Sequence, residues 1–423
     1  MLKKCALFIL FFLFSFNIAL SKDNAKEIIQ RRGQGKVQLV QYQNGQWQML
    51  VNGRPYFIQG VVYGPAVVGE RVIDNNTWMN YDFNQNGKLD TAYDAWVDKN
   101  KNNLRDPDEP AIGDFQLLKE MGCNTIRLYH YTNIKKEVLR DLYRRFGIRV
   151  MLGNFLGAYT WGSNASWGKG TDYTDPRQRQ KMAEDVKEMV LEFKDEPYIL
   201  FWMLGNENDV VGSYENSTFN NTNARLVPEV YTKFVNEVAK MIHKLDPHHP
   251  VGVSNALLCM FRYYAQYSPE IDIVGMNAYK GPYGFGHLWN TIKMDFDRPV
   301  VITEYGADCY DQNKDIVDED FQARYYKGSW QDMVNNSFGH NGAGNALGGF
   351  AYTWLDSWWL CGSPYEHDTK IGAWRGPTQD SWMNDEWMAL CSQGDGSKSP
   401  FLRQLRKVYY MFKEEWRKDN GEK

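Results

Sequence analysis

The chain of 423 residues is 24% charged and 43% hydrophobic, which supplies apolar material for a large core and excludes a disordered polymer. A formal net charge of -4, with no basic block, argues against nucleic acid as a partner. The 15 Trp, 26 Tyr and 22 Phe fill the core for the most part, and the remainder are candidates for stacking on sugar rings.

The first 24 residues, MLKKCALFILFFLFSFNIALSKDN, join two lysines, an apolar run and a small-residue end. This predicts a secretory signal over 1–21, cleaved near Ser21, and a secreted or periplasmic mature protein with no membrane attachment after cleavage. Cys123, Cys259, Cys309, Cys361 and Cys391 then remain. Widely spaced and without a CxxC pair, they give no zinc site and no disulfide framework, and leave only a Cys361–Cys391 bridge open. Residues 22–55 form a polar lead and a hairpin: two alternating runs flank Asn44-Gly45 and predict an antiparallel ribbon over 36–52.

From residue 56 short apolar strands alternate with amphipathic helices. Strands YFIQGVVY, NTIRLYH, IRVMLG, YILFWMLG, PVGVSN, IDIVGMNAY, RPVVITEYG and LGGFAYTWLD are separated, in most cases, by helical patterns; the last helix is read in SPFLRQLRKVYYMFKEEW. Eight such units predict an α/β fold, a closed (β/α)8 TIM barrel over 56–416 with a tail at 417–423. An open doubly wound sheet is the alternative, and the lack of a glycine-rich phosphate loop after the first strand counts against it.

Barrel enzymes carry their reactive groups where strands end. Glu207 ends the fourth strand in LGNEN and Glu304 the seventh in TEYG. One protonated and one ionised carboxyl group are what glycoside hydrolysis needs, about 5 to 5.5 Å apart for retention and roughly 6.5 to 9.5 Å for inversion. A structural ion pair or a metal site is the competing reading. Both motifs, in that order and on those strands, resemble the clan A retaining glycoside hydrolases. That group includes the catalytic domain of family 2, family 5 cellulase relatives and the fungal β-1,3-glucanosyltransferases.

The resemblance implies Glu207 as acid/base and Glu304 as nucleophile, with no cofactor for catalysis. It also implies Asn206 on the sugar 2-hydroxyl, Arg127 and Tyr279 beside the nucleophile, and Trp354 as the sugar platform. Family 2 members usually carry sandwich domains ahead of the barrel, and too little chain precedes this one. Trp161, Trp167, Trp358 and Trp359 are candidates for further stacking or for loop packing; His130 is a candidate for substrate contact or for a structural role.

The insertion at 82–109 reads differently. Asp98, Asn100, Asn102, Asp106 and Glu109 occupy positions 1, 3, 5, 9 and 12 of a calcium loop, and Asp82, Asn84, Asn86 and Asp90 repeat the first four, with Gly87 at the turn. The first copy has Tyr93 at position 12 and Asp94 one place late; the second has Asn103 where Gly is usual. A structural Ca2+ is the expectation, and a solvated Asn/Asp-rich loop the alternative. Together these features predict an exported retaining β-glycosidase acting on a β-linked carbohydrate, a β-glucan for preference. A transglycosidase of the same mechanism and a non-catalytic glycan-binding barrel are the alternatives.

Overall fold

The computed structural model describes residues 27–72, 76–210, 220–369 and 374–419. The expected signal at 1–21 lies outside them, as does the end of the tail. Eight parallel strands close into a barrel, in chain order Ile58–Val62, Thr125–Leu128, Arg149–Asn154, Ile199–Leu204, Val251–Asn255, Ile273–Asn277, Val300–Tyr305 and Ala346–Ala351. Each pairs with the next, and the eighth returns to the first through Gly348 to Ala351 against Ile58 to Val61. The apolar runs read as two-sided strands are so: all six residues of the fourth strand are buried.

The expected hairpin is the centre of a four-stranded antiparallel sheet. Val37–Tyr42 pairs with Trp47–Val51 around a turn in which Gly45 takes φ 75°, with Ile28–Arg32 and Arg54–Pro55 on the outside. Val37, Leu39, Trp47 and Met49 share one apolar cluster with the barrel-lining Met151, Phe201, Val301 and Phe350. The Trp47 ring N–H donates to Asp297 Oδ1 at 3.2 Å, just ahead of the seventh strand. The sheet therefore seals the end of the barrel where strands begin, and the chemistry is left to the other mouth.

Helices surround the barrel at Asp114–Met121, Lys136–Asp141, Pro176–Phe193, Pro228–Leu245, Phe261–Tyr267, Leu288–Asp295, Glu319–Asn335 and Lys407–Asp419. Asp175 caps the third of these by accepting from the Arg177 N–H at 2.8 Å, and Pro176 opens its first turn. Phe261–Tyr267 and Leu288–Asp295 have no counterpart in the sequence pattern.

The final helix is corrected: the predicted pattern opens at Ser399, but Leu402–Leu405 is a strand, paired with both Trp96–Val97 and Cys391–Ser392. Arg403 in that strand forms a buried two-pronged pair with Asp114 at 2.7 and 2.9 Å. Tertiary partners here override local propensity. The described cysteines carry no bridge, Cys361 and Cys391 included. No helix among the described residues is long and apolar enough to cross a membrane.

Because Trp47 is fully buried at the sealed end and far from the open mouth, Trp47→Ala should lower the unfolding free energy by about 3–5 kcal/mol. Denaturant titration reads this directly, as a fall in the midpoint with an unchanged slope.

Candidate active site

The fourth strand ends at Leu204, and the chain turns through Gly205 at φ 73° to place Asn206 and Glu207 at the mouth. Glu207 itself takes φ 54°, a conformation unfavourable for a residue with a Cβ. It is held there from both sides: its N–H donates to Ser254 O at 3.2 Å, and Asn220 Nδ2 donates to its carbonyl at 2.6 Å. Asn208 fixes the turn from below, accepting from the Asn206 N–H and donating to the carbonyls of Phe155 and Leu156.

Glu304, near the end of the seventh strand, accepts three hydrogen bonds. Arg127 Nη1 (2.8 Å) and Tyr129 OH (2.6 Å) meet Oε1, and Tyr279 OH (2.8 Å) meets Oε2. The remaining guanidinium contacts spread across the barrel, to Thr303 O at 2.8 Å, Asn206 Oδ1 at 2.8 Å and Asn277 Oδ1 at 3.2 Å. Asn277 connects Glu207 to the arginine: its Nδ2 donates to Glu207 Oε1 at 2.9 Å while its Oδ1 receives Thr303 Oγ1 at 2.7 Å and Arg127. The two glutamates thus lie at the same mouth, linked through the Asn277 carboxamide and the Arg127 guanidinium.

Burial raises the Glu207 carboxyl to about 8, and the negative charge of Glu304 adds to the shift. The hydrogen bond from Asn277 opposes it only in part. Glu207 therefore keeps its proton at neutral pH. Tyr129 and Tyr279 are pushed well above the usual phenol range, first by burial and then by Glu304, so both remain donors to it.

The structure brings together Glu207, Glu304, Asn206, Arg127 and Tyr279 of the residues expected at the site. Trp354 is corrected. It is 0% exposed and packs in the layer between barrel and helices, edge-on to Tyr409. A ring with no accessible face cannot stack on a sugar. The strand ends at Ala351, so alternation no longer carries Trp354 inward; the aromatic side chain at the mouth is Tyr352, edge-on to Tyr279 at 6.5 Å.

His130 is 2% exposed, with Nδ1 accepting from the Phe155 N–H and its ring packed against Phe155 and Trp161. It supports the loop after the third strand. Trp161 is partly exposed beside it, Trp167 is on the surface, and Trp358 is stacked beneath His367. A cavity of about 650 Å³ bounded by Tyr159, Trp161, Lys181 and Asp185 adjoins the site but includes neither glutamate.

Tyr129, Tyr159, Asn277 and Tyr352 escape the sequence reading. A signal existed for one of them, since Asn277 is the last residue of its strand, where alternation still sets direction. Tyr159, whose OH receives Asn206 Nδ2 at 3.2 Å, comes from a loop and has none. The calcium candidates Asp82, Asn84, Asn86, Asp90, Asp98, Asn100, Asn102, Asp106 and Glu109 lie apart from the two acids, in the long connection after the first strand.

The profile of the glycosyl hydrolases family 2 TIM barrel domain matches residues 107–338. A β-glucuronidase of Streptococcus agalactiae is 27% identical over 220 residues, 46% of this chain and 32% of that protein. The Rattus norvegicus β-glucuronidase is 29% identical over 216 residues, covering 47% and 28%. The matched stretch is thus about a third of these relatives' length. Among solved structures, a β-D-glucuronidase of Dictyoglomus thermophilum superposes with TM-score 0.53 at 16% identity, covering 92% of this chain and 53% of that one. A family 2 β-galacturonidase of Eisenbergiella tayi gives 0.51 at 18%, covering 93% and 54%. At that identity the likeness is one of fold.

A reaction that draws its proton from Glu207 should slow as pH rises through about 8, where that carboxyl ionises. A kcat/KM profile reads this limb, and it should vanish in Glu207→Gln. Tyr129→Phe removes one donor to a charged acceptor and should lower kcat/KM by roughly ten- to a hundredfold, at about 1.5–3 kcal/mol.

Proposed function

The chain belongs to the family 2 glycosyl hydrolases, whose TIM barrel domain it carries, and from that membership and the geometry of its site we propose that it cleaves β-linked glycosides with retention of configuration. The observation that carries this reading is the contrast between the two acids. Three donors converge on Glu304, whereas Glu207, across Asn277 from it, holds a proton at neutral pH.

Glu304 attacks the anomeric carbon while Glu207 passes its proton to the glycosidic oxygen, and the aglycone leaves as an alcohol. Glu207, now a carboxylate, takes a proton from an incoming water. That water displaces Glu304 and returns both acids to their starting state. Tyr129 and Tyr279 hold the attacking carboxylate in place, and Asn206 is positioned for the sugar 2-hydroxyl. Entry of a sugar hydroxyl in place of water gives transfer by the same steps.

For the substrate we favour a neutral β-linked glucan or its oligosaccharides. Arg127, the cation beside the two acids, already spends its donors on Glu304, Thr303, Asn206 and Asn277, and so offers little to a substrate carboxylate. A uronide is the second reading, favoured by the relatives, which are named β-glucuronidases and a β-galacturonidase. The signal-like leader at 1–21 supports export.

Aryl β-glucoside, β-galactoside and β-glucuronide, with β-glucan oligosaccharides, separate these readings. Wild type should turn over the glucoside and the glucan best, and Glu304→Gln should lose at least about a thousandfold. Preference for the glucuronide would replace the glucan assignment, and products longer than the substrate would establish transfer. Binding without turnover, equal in wild type and Glu304→Gln, would mean a glycan-binding barrel.

A further inference from the structure

The long connection between the first barrel strand and the helix Asp114–Met121 is not used by the chemistry above, and most of it lies ahead of the segment matched by the family profile. Its two Asn/Asp-rich loops fold alike. In the first, Asp82 accepts from the N–H groups of Asn86 and Gly87, both at 3.0 Å; in the second, Asp98 accepts from Asn102 at 3.1 Å and Asn103 at 2.9 Å. The fourth and sixth positions are left-handed in both copies: Gln85 and Gly87, then Lys101 and Asn103.

Loop shape alone does not make an ion site, but the burial of its carboxylates points to a ligand. Asp90 is 0% exposed; its Oδ2 accepts from the Phe83 N–H at 2.7 Å, and its Oδ1 is buried with no hydrogen-bond partner. In the second copy Asp98 and Glu109 are each 2% exposed, and their oxygens are met by main-chain N–H groups and by Gln404. Among the described residues no Lys or Arg side chain pairs with Asp82, Asp90, Asp94, Asp98, Asp106 or Glu109. Buried acids of this kind are unfavourable unless a cation neutralises them.

The donor set selects that cation. Among the described residues no three His, Cys, Asp or Glu side chains are gathered closely enough to hold a metal by themselves. What the loops offer is a mixture of carboxylate, carboxamide and main-chain oxygens, which is a calcium shell. Asn84 and Asn86 both reach Asp94, and Asn100 and Asn102 both reach Asp106. Tyr93, at the expected twelfth position, instead donates to Asp141.

We propose that the insertion binds one calcium ion, in its first loop, through Asp82, Asn84, Asn86 and Asp90, and that the ion steadies the connection whose second loop is tied to the C-terminal segment. The second loop is already joined there. Gln404 donates to Asp98, Asn103 accepts from the Asp395 N–H, and Trp96–Val97 pairs with Leu402–Arg403. Calcium neutralises the buried Asp90 carboxylate at the start of that connection.

The test is calorimetric titration of chelator-stripped full-length protein with Ca2+, alongside melting curves in chelator and in millimolar Ca2+. Wild type should take up one ion and melt higher with calcium, since an ion that binds only the folded state stabilises it. Asp98→Ala should still take up one. Asp90→Asn keeps the side-chain shape and removes a buried charge, so it should melt above wild type in chelator, below it in calcium, and bind its first-loop ion at least about tenfold more weakly. Folded wild type that shows neither heat of binding nor a calcium-dependent melting shift would overturn the proposal. An Asp90→Asn variant shifted equally in chelator and in calcium would overturn the first-loop site.

Discussion

A guanidinium buried inside a barrel must be met by acceptors on every side, and this requirement organises the site. Arg127 is 1% exposed and fixed in charge. It starts on the second strand and reaches Asn206 beyond the fourth, Asn277 on the sixth, and both Thr303 and Glu304 on the seventh. Desolvating such a charge is costly, and removing one acceptor from a buried pair costs about 3–5 kcal/mol. The same contacts that satisfy the arginine therefore fix Glu304, Asn206 and Asn277 relative to one another.

The asymmetry between the acids follows from this arrangement. Glu304 receives the guanidinium directly, together with two phenol groups. Glu207 receives only a carboxamide, from a residue whose other end is committed to Arg127 and Thr303. Burial and the neighbouring carboxylate then act on Glu207 largely unopposed, and it stays protonated. A nucleophile and a proton donor thus arise from identical side chains because one lies next to the arginine and the other one residue further away.

The rest of the molecule keeps that mouth in shape. The antiparallel sheet seals the opposite end with Trp47 and its neighbours. At the functional end, Arg403 and Asp114 join the segment after the eighth strand to the first helix, and Arg406 pairs with Asp356 beside it. Both pairs are buried, so the loops that frame the cleft are tied to the barrel by ionic contacts shielded from solvent.

The sequence by itself determined the barrel and its two acids. Runs such as Ile199–Leu204 have no polar alternation and so must be covered on both faces, and a glutamate after such a run lies where barrel strands end. Arg127 and Asn277 lie on their strands themselves, where alternation sets their direction. Only the tertiary structure decided which aromatic ring faces the cleft. Tyr352 and Trp354 lie beyond the last residue of their strand, where period no longer dictates direction, and Trp354 is drawn into the outer layer against Tyr409. Leu402–Leu405 became a strand, against its helical pattern, because two partners offered it a ladder. Tyr159 reaches Asn206 from a loop with no periodic signal. Local pattern records which face of an element is apolar; which side chains meet across the barrel depends on closure, which joins residues far apart along the chain.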